Sequence, residues 1–218
     1  MLKRRSVVPE TTTNNSTVEY ANLEAGEHEG RLAYVGDLGL QSREYMGEVK
    51  PPAQQISLGI EIMGQSITID GKEQPRLLWT KPFNIFYTMS EKGNEYKYYK
   101  VFNPNAKEGD VADWDSVLGT PCNVLVKHQK GKGENSERVY DNIDSLSPIP
   151  TKYQEGVAPS TITDQCVGDA DDENNPATKS LFGLAKFVYD KRIIASQPAK
   201  LKAVESLEDD DFDDAVPF

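Results

Sequence analysis

The sequence predicts a mainly β protein with a few short helices and a disordered acidic end. Short segments rich in β-branched and aromatic residues alternate between apolar and polar positions, and turn-forming residues separate them. The 218 residues include 13 Pro, 16 Gly and 37% hydrophobic residues, which favours a modest core with long connections. The last fourteen residues carry seven carboxylates and no Lys or Arg, so we expect them to be extended and solvated.

The predicted strands lie between residues 27 and 150. Gln55–Ile62 alternates most clearly, because its Ile and Leu side chains all fall on one face of a strand. Ser66–Ile69 before Asp70 and Gly71 predicts a hairpin turned by a two-residue loop. The other predicted strand segments are Arg31–Val35, Arg76–Trp79 with Phe83–Tyr87, Pro121–Val126 and Arg138–Leu146.

Three segments favour helix or are ambiguous. Ser90–Phe102 has the aromatic content of a strand, but Ser90 could also cap a helix. Asp110–Leu118 predicts a short helix closed by Gly119. Asn175 and Pro176 open a C-terminal helix, whose predicted apolar stripe consists of Leu181, Leu184, Phe187 and Val188.

Three strand regions, a short helix and a two-stranded hairpin follow the order of a five-stranded OB-fold barrel. We therefore predict such a barrel with an extra hairpin, a short inter-strand helix, a C-terminal helix and a disordered acidic tail. The predicted units are a mobile N-terminal arm (1–26), the OB-fold barrel (27–150), an acidic loop plus C-terminal helix packed on it (151–196) and a disordered acidic tail (197–218).

Charge is unevenly distributed along the chain. The net charge is −11 and the pI about 4.7, but the last fourteen residues hold −7, which leaves −4 for residues 1–204. Local fields decide binding, so the acidic pI does not exclude nucleic acid. No signal peptide or apolar stretch of 18 residues is present, and Cys122 and Cys166 are predicted to be free thiols in a reducing compartment.

The acidic end closes on the apolar tip Val216–Phe218. A generic acidic tail explains the charge but not the terminal aromatic ring. A recognition peptide explains both, because the ring fills a pocket while a basic rim receives the carboxylates. The predicted partner-binding residues are Asp209, Asp210, Asp211, Phe212, Asp213, Asp214, Pro217 and Phe218.

Trp114–His128, the Gly- and Lys-containing hairpin after it, and Tyr140–Pro148 resemble a family of bacteriophage OB-fold single-stranded-DNA-binding proteins. The Asp-rich ending in Phe218 is similar to the acidic tip of bacterial and phage single-stranded-DNA-binding proteins. The resemblance covers roughly residues 77–150 and the tip. It implies binding of single strands in phage DNA replication, recombination and repair, in the cytoplasm of the infected host. It also implies that the tail recruits replication or recombination proteins, and it is compatible with a homodimer.

Single-strand binding needs a cationic groove with exposed aromatic faces. As a strand, Tyr96–Phe102 would place Tyr96, Tyr98 and Lys100 on one face, although several of these rings fit a core equally well. The basic hairpin loop near residue 132 matches a loop that OB barrels use for oligonucleotides, or is a solvated tip. The predicted DNA-binding residues are Arg76, Lys81, Tyr87, Tyr96, Lys97, Tyr98, Tyr99, Lys100, Lys127, Lys130, Lys132 and Arg138.

The tail is also long enough to compete for this groove. Residues 196–218 have a root-mean-square span of roughly 26 Å if flexible, against a radius of gyration of roughly 16 Å for the body. An anionic extended segment resembles a nucleic-acid strand in its charge. We therefore hypothesise that the tail weakens DNA binding until DNA or a partner displaces it.

Other functions find less support. No Ser/His/Asp or Cys/His set is arranged for catalysis, and Cys122 and His128 lack the second pair that a zinc site needs. The acidic loop Asp169–Glu173 lacks the EF-hand pattern. We predict a non-enzyme without cofactor, metal or membrane contact. The alternatives are an acidic DNA mimic that inhibits host nucleic-acid-binding enzymes and a metal-dependent nuclease, and duplex binding stays open.

Overall fold

The computed structural model describes residues 18–19, 21–131 and 133–194, and it is mainly β. The strands are β1 (Val18–Glu19), β2 (Gly26–Tyr45), β3 (Glu48–Ile69), β4 (Lys72–Trp79), β5 (Phe83–Ile85), β6 (Pro121–Lys130), β7 (Val139–Pro148) and β8 (Cys166–Val167). The helices are α1 (Asn94–Phe102), α2 (Thr151–Gln154), α3 (Pro176–Lys179) and α4 (Gly183–Asp190), with 3-10 turns at Asp115–Val117 and Gly133–Asn135. Most of the predicted N-terminal arm and the whole acidic tail lie outside the described residues.

Two long antiparallel strands, β2 and β3, organise the sheet. Strand β2 pairs on its other edge with β6, which pairs with β7, so the hydrogen-bonded path runs β1-β3-β2-β6-β7. The far edge of β3 also receives β4 and β5, and the short β8 runs parallel to β2. The hairpin predicted at Asp70 and Gly71 is confirmed, and both residues have the positive φ that its tight turn requires, at 50° and 73°.

The sheet remains open between β4 and β7, so the predicted closed barrel is wrong. No backbone ladder joins these two edges in the described part of the chain. They meet through side chains instead, because Arg76 Nη2 on β4 lies 2.5 Å from Asp141 Oδ2 on β7. Both side chains are buried, at 2% and 0% exposure, and they occupy the space in which a ladder would form.

The main core lies between β2, β3, β6 and α1. The predicted apolar face of Gln55–Ile62 is confirmed, since Ile56, Leu58, Ile60 and Ile62 are at most 3% exposed. Fully buried partners come from the neighbouring strands. The centre of this core consists of Leu32, Ile56, Leu58, Ile60, Ile62, Cys122, Val124 and Val126. Burial raises the pKa of the Cys122 thiol to about 12, so this side chain behaves as an apolar group.

The opposite face of β2 and β3 is covered by the chain after residue 156. Glu61, only 2% exposed, accepts hydrogen bonds from Thr161 N at 3.0 Å and Thr161 Oγ1 at 2.6 Å, and from the Ser160 hydroxyl. Arg31 donates to the carbonyls of Val157 and Ala158 at 2.9 and 2.7 Å. The hydrogen bonds compensate the desolvation of the buried Glu61 carboxylate and, with those of the half-buried Arg31, hold this covering segment against the sheet.

The structure decides one ambiguous segment and changes the two predicted helices. Ser90–Phe102 contains a helix, α1, because Tyr96, Tyr99 and Phe102 recur every three residues and are all buried. The helix predicted over Asp110–Leu118 shrinks to one 3-10 turn. Its Asp113 carbonyl accepts hydrogen bonds from the side chains of Tyr99 and Ser116, which holds the segment in an irregular conformation.

The predicted C-terminal helix divides into α3 and α4, and Gly183 begins the second with a φ of 57°. This break changes the buried stripe. Leu184 and Phe187 are 54% and 55% exposed. The residues packed on β2 are Leu181, Ala185 and Tyr189. No helix in the described ranges is long and apolar enough to cross a membrane.

The Arg76–Asp141 contact predicts a strong energetic coupling between the two sheet edges. Arg76→Met leaves a buried unpaired carboxylate and should lower the free energy of unfolding by about 3–5 kcal/mol. Asp141→Asn should also destabilise, and the double variant should lose less than the sum of the two, by at least about 1 kcal/mol. Urea unfolding of the three variants measures this coupling.

The ion pair between Lys127 and Asp144 provides the control. Lys127 Nζ lies 2.8 Å from Asp144 Oδ2, and the two side chains are 63% and 39% exposed. Lys127→Met and Asp144→Asn should each cost less than about 1 kcal/mol, because water screens an exposed pair. If the losses of unfolding free energy in Arg76→Met and Asp141→Asn are strictly additive in the double variant, the ion pair does not join the edges of β4 and β7.

Candidate nucleic-acid interface

A groove with a volume of about 1080 Å³ opens where β4, the β6–β7 hairpin and the start of α4 meet. We call it the basic groove. Its lining segments are residues 78–81 at the end of β4 and directly after it, 129–131 and 137–142 of the hairpin, and 182–185 at the start of α4, with Asn22 at one side. The open edges of β4 and β7 create it, since a continuous ladder would have filled this space.

Three cations line the basic groove, namely Lys81, Lys130 and Arg138. All three are exposed, and none forms an ion pair with any carboxylate whose side chain the structure describes. The opposing carboxylates are Glu137 and Asp141, and Arg76 neutralises Asp141 from the interior. The groove therefore has a positive local charge in a chain whose overall charge is negative.

Aromatic rings flank these cations. Tyr140 and Phe182 are 39% and 41% exposed and line the groove. Trp79 is held as its wall, because its ring lies 6.5 Å from that of Tyr34 at 13° and its Nε1 donates to the Ser180 carbonyl at 3.1 Å. Tyr140 and Phe182 are thus exposed rings in a groove that also holds cations, and such a combination suits the stacking of bases that carry phosphates.

Sequence reasoning missed both open rings. Tyr140 follows Arg138 by two residues, so the period of a strand already places the two side chains on one face. This two-residue spacing is visible in the sequence and could have indicated Tyr140. Phe182 reaches the groove only because the chain breaks between α3 and α4, and no pattern in the sequence indicates that break.

Three predicted DNA-binding residues lie in the interior instead. Arg76 is 2% exposed and bonded to Asp141, so it cannot reach a phosphate. Tyr96 and Tyr99, at 7% and 4% exposure, belong to the core face of α1. The Tyr99 ring meets that of Trp114 edge-on at 5.1 Å. The predicted platform of Tyr96 and Tyr98 on one face of a strand does not form, because the segment is a helix.

Other predicted residues are accessible or half-buried but lie away from the groove. Tyr98 packs on Phe83 with ring centroids 4.9 Å apart, and burial raises the pKa of its hydroxyl. Lys97 and Lys100 are exposed on α1, where Lys100 Nζ lies 2.9 Å from the Tyr96 hydroxyl. The remaining two are Tyr87, 87% exposed, and Lys127, paired with Asp144; neither lines the basic groove, and Lys132 lies outside the described residues.

No protein-family model matches this chain, and no curated protein is significantly similar to it. The function therefore has to be argued from the groove itself. Within the described ranges, no three His, Cys, Asp or Glu side chains are grouped so that they could hold a metal ion. What the groove offers chemically is attraction for anions together with flat apolar faces.

Proposed function

We propose that this chain binds single-stranded DNA through the basic groove, as a protein of phage DNA replication, recombination and repair. The observation that carries this proposal is the grouping of Lys81, Lys130 and Arg138 with the open rings of Tyr140 and Phe182. The resemblance of Trp114–Pro148 and of the acidic ending to phage single-stranded-DNA-binding proteins supports the same function. We place its activity in the cytoplasm of the infected bacterium.

We also infer that the sheet is an open version of the OB fold. Strand β2 pairs with both β3 and β6, β3 pairs with β4, and β6 pairs with β7. Helix α1 lies between β5 and β6 along the chain, as a helix does between the third and fourth strands of an OB barrel. Only the contact between β4 and β7 departs from that arrangement, since it consists of an ion pair.

Binding in this groove has two components. The cations neutralise backbone phosphates and release counterions, which is independent of sequence and sensitive to salt. Bases stack on the rings of Tyr140 and Phe182, and each stacked base contributes about 1–3 kcal/mol. Bases inside a duplex are already stacked on each other, so the aromatic component favours single strands.

The acidic ending is the proposed handle for replication or recombination proteins. Its carboxylates suit a basic rim and Phe218 an apolar pocket on such a partner. The same charge makes the ending a competitor for the groove, because Lys81, Lys130 and Arg138 are exposed and pair with none of the carboxylate side chains that the structure describes. DNA that enters the groove would thereby displace the acidic ending and leave it available to partner proteins.

Neutralising the groove should weaken binding and reduce its salt dependence. The triple variant Lys81→Ala, Lys130→Ala, Arg138→Ala should lower the slope of log K against log salt by about 2, since each phosphate contact contributes about 0.7. The same slope implies a loss of about 10²-fold in affinity for oligo-dT at 0.1 M salt. Fluorescence titrations at several salt concentrations measure both quantities.

The matched control removes three exposed lysines that line no part of the groove, Lys92, Lys107 and Lys152. It changes the net charge by the same amount and should alter the slope by much less. Equal losses in the two triple variants would mean that overall charge, and not the groove, attracts DNA.

Removing the rings should weaken binding without changing its salt dependence. Tyr140→Ala and Phe182→Ala should each cost about 1–3 kcal/mol of binding free energy, because a base loses its stacking partner. Tyr140→Phe keeps the face and should retain most of the affinity. Tyr87→Ala, which removes an 87% exposed ring outside the groove, should have little effect in the same titration. A larger loss of affinity in Tyr87→Ala than in Tyr140→Ala and Phe182→Ala would show that DNA binds outside this groove.

Deleting residues 205–218 should raise the affinity for oligo-dT several-fold at low salt, and the gain should shrink as salt screens the competing charges. Phe218→Ala keeps all seven carboxylates and should leave the competition largely intact while weakening the capture of partner proteins. Titration of the three chains at two salt concentrations compares them. Unchanged or weaker binding after the deletion would refute competition by the tail.

A further inference from the structure

A second groove, with a volume of about 640 Å³, continues the basic groove along β4. We call it the side groove. Its lining includes Gln74–Leu77 of β4, Thr161–Asp164, and Lys179–Phe182 at the α3–α4 break. Phe182 lines both grooves, and residues 74–77 and 78–81 of one strand segment form successive parts of the two walls. An extended segment from Gln74 to Lys81 is about 23 Å long, so a bound strand that follows it passes both grooves.

The side groove combines apolar walls with one fixed carboxylate. Pro75, Leu77 and Ile162 contribute partly exposed apolar surface. The exposed carboxylate of Asp164 accepts a hydrogen bond from the Tyr34 hydroxyl through Oδ1 at 2.7 Å. Tyr34 is 5% exposed, and burial, the largest cause, raises the pKa of its hydroxyl, so it stays a donor to Asp164 at neutral pH. The second oxygen, Oδ2, takes no part in this bond.

An ionised carboxylate only accepts hydrogen bonds, which limits the groups it can recognise. The exocyclic amino group of cytosine donates to such an acceptor. Thymine carries a carbonyl oxygen at the same position of its ring, and two acceptors repel each other. Lys179, exposed at the edge of the groove, is available to the phosphate of the same nucleotide.

We propose that the side groove is a base-recognition subsite in which Asp164 accepts a hydrogen bond from the amino group of an unpaired base, cytosine in preference to thymine. This inference rests on the proposed single-strand binding and adds a preference to it. The apolar walls take the flat face of the ring, Lys179 meets the phosphate, and Phe182 stands between this base and those in the basic groove. A site of this size and polarity is typical of small planar ligands.

The test compares dC and dT tracts of equal length with the full chain at pH 8, where cytosine is neutral. Both bases are pyrimidines, so the comparison largely isolates the exocyclic group. The wild-type chain should bind the dC tract about fivefold to tenfold more tightly, the range expected for one partly solvated hydrogen bond to a charged group. Asp164→Asn should bring the two affinities within about twofold, because an amide both donates and accepts and can pair with either pyrimidine.

Asp171→Asn is the matched control, because it removes the same charge from an exposed position that lines neither groove. It should keep the preference for dC. The amide oxygen of Asp164→Asn still accepts the Tyr34 hydroxyl, and thermal unfolding checks that the variant is folded.

The outcomes separate this inference from the proposed function. Equal binding of both tracts by the wild-type chain would overturn the subsite and leave single-strand binding intact. The same conclusion would follow if Asp164→Asn kept the full preference for the dC tract. Absence of binding to either tract would overturn the proposed function and the subsite with it. A preference for dC that is lost in Asp164→Asn and kept in Asp171→Asn would establish the subsite.

Discussion

The buried ion pair between Arg76 and Asp141 is the interaction on which the rest of this structure depends. It joins β4 and β7, two edges of the described sheet that meet without a backbone ladder. Asp141 also accepts the Leu23 N–H at 3.0 Å, so one carboxylate ties β7 to β4 and to the segment before β2. His128 Nε2 of β6 lies 3.5 Å from its other oxygen. Asp141 lines the basic groove and Arg76 the side groove, which places the pair in the floor of both. Because the pair cancels its own charges, the exposed cations above it determine the field in the basic groove.

Much of the sheet could be predicted from periodicity, because its determinants are local. The alternation of Gln55–Ile62, the turn at Asp70 and the hairpin before Tyr140 all depend on neighbouring residues. The open edge could not be predicted in this way, since Arg76 and Asp141 are 65 residues apart in the sequence and each alone looks like a surface charge. The tyrosine-rich segment of α1 was ambiguous in the sequence, because aromatic content favours strands, while the three-residue spacing of its buried rings favours a helix.

The candidate site was partly predictable for the same reason. Lys81, Lys130 and Arg138 were found because aromatic and basic residues are interleaved in the sequence and because the hairpin loop is basic. Of the twelve predicted residues, the fold brings these three together in the basic groove and buries Arg76, Tyr96 and Tyr99. The exposed residues of α1 lie outside this groove. The positions of Phe182 and Asp164 could be known only from the structure, since hydrogen bonds of Glu61 and Arg31 attach the chain after residue 156 to β2 and β3. Charge composition predicts which chemistry is present, and only packing decides where it is assembled.

The central claim is that single-stranded DNA lies in the grooves beside β4. Ultraviolet cross-linking of oligo-dT to the full chain, followed by mass-spectrometric identification of the modified residues, tests it most directly, because only rings in contact with bases react efficiently. The account predicts adducts at Tyr140 and Phe182, the two open rings of the basic groove. Adducts confined to Tyr87 or to the tyrosines of α1, with none at either groove residue, would contradict it.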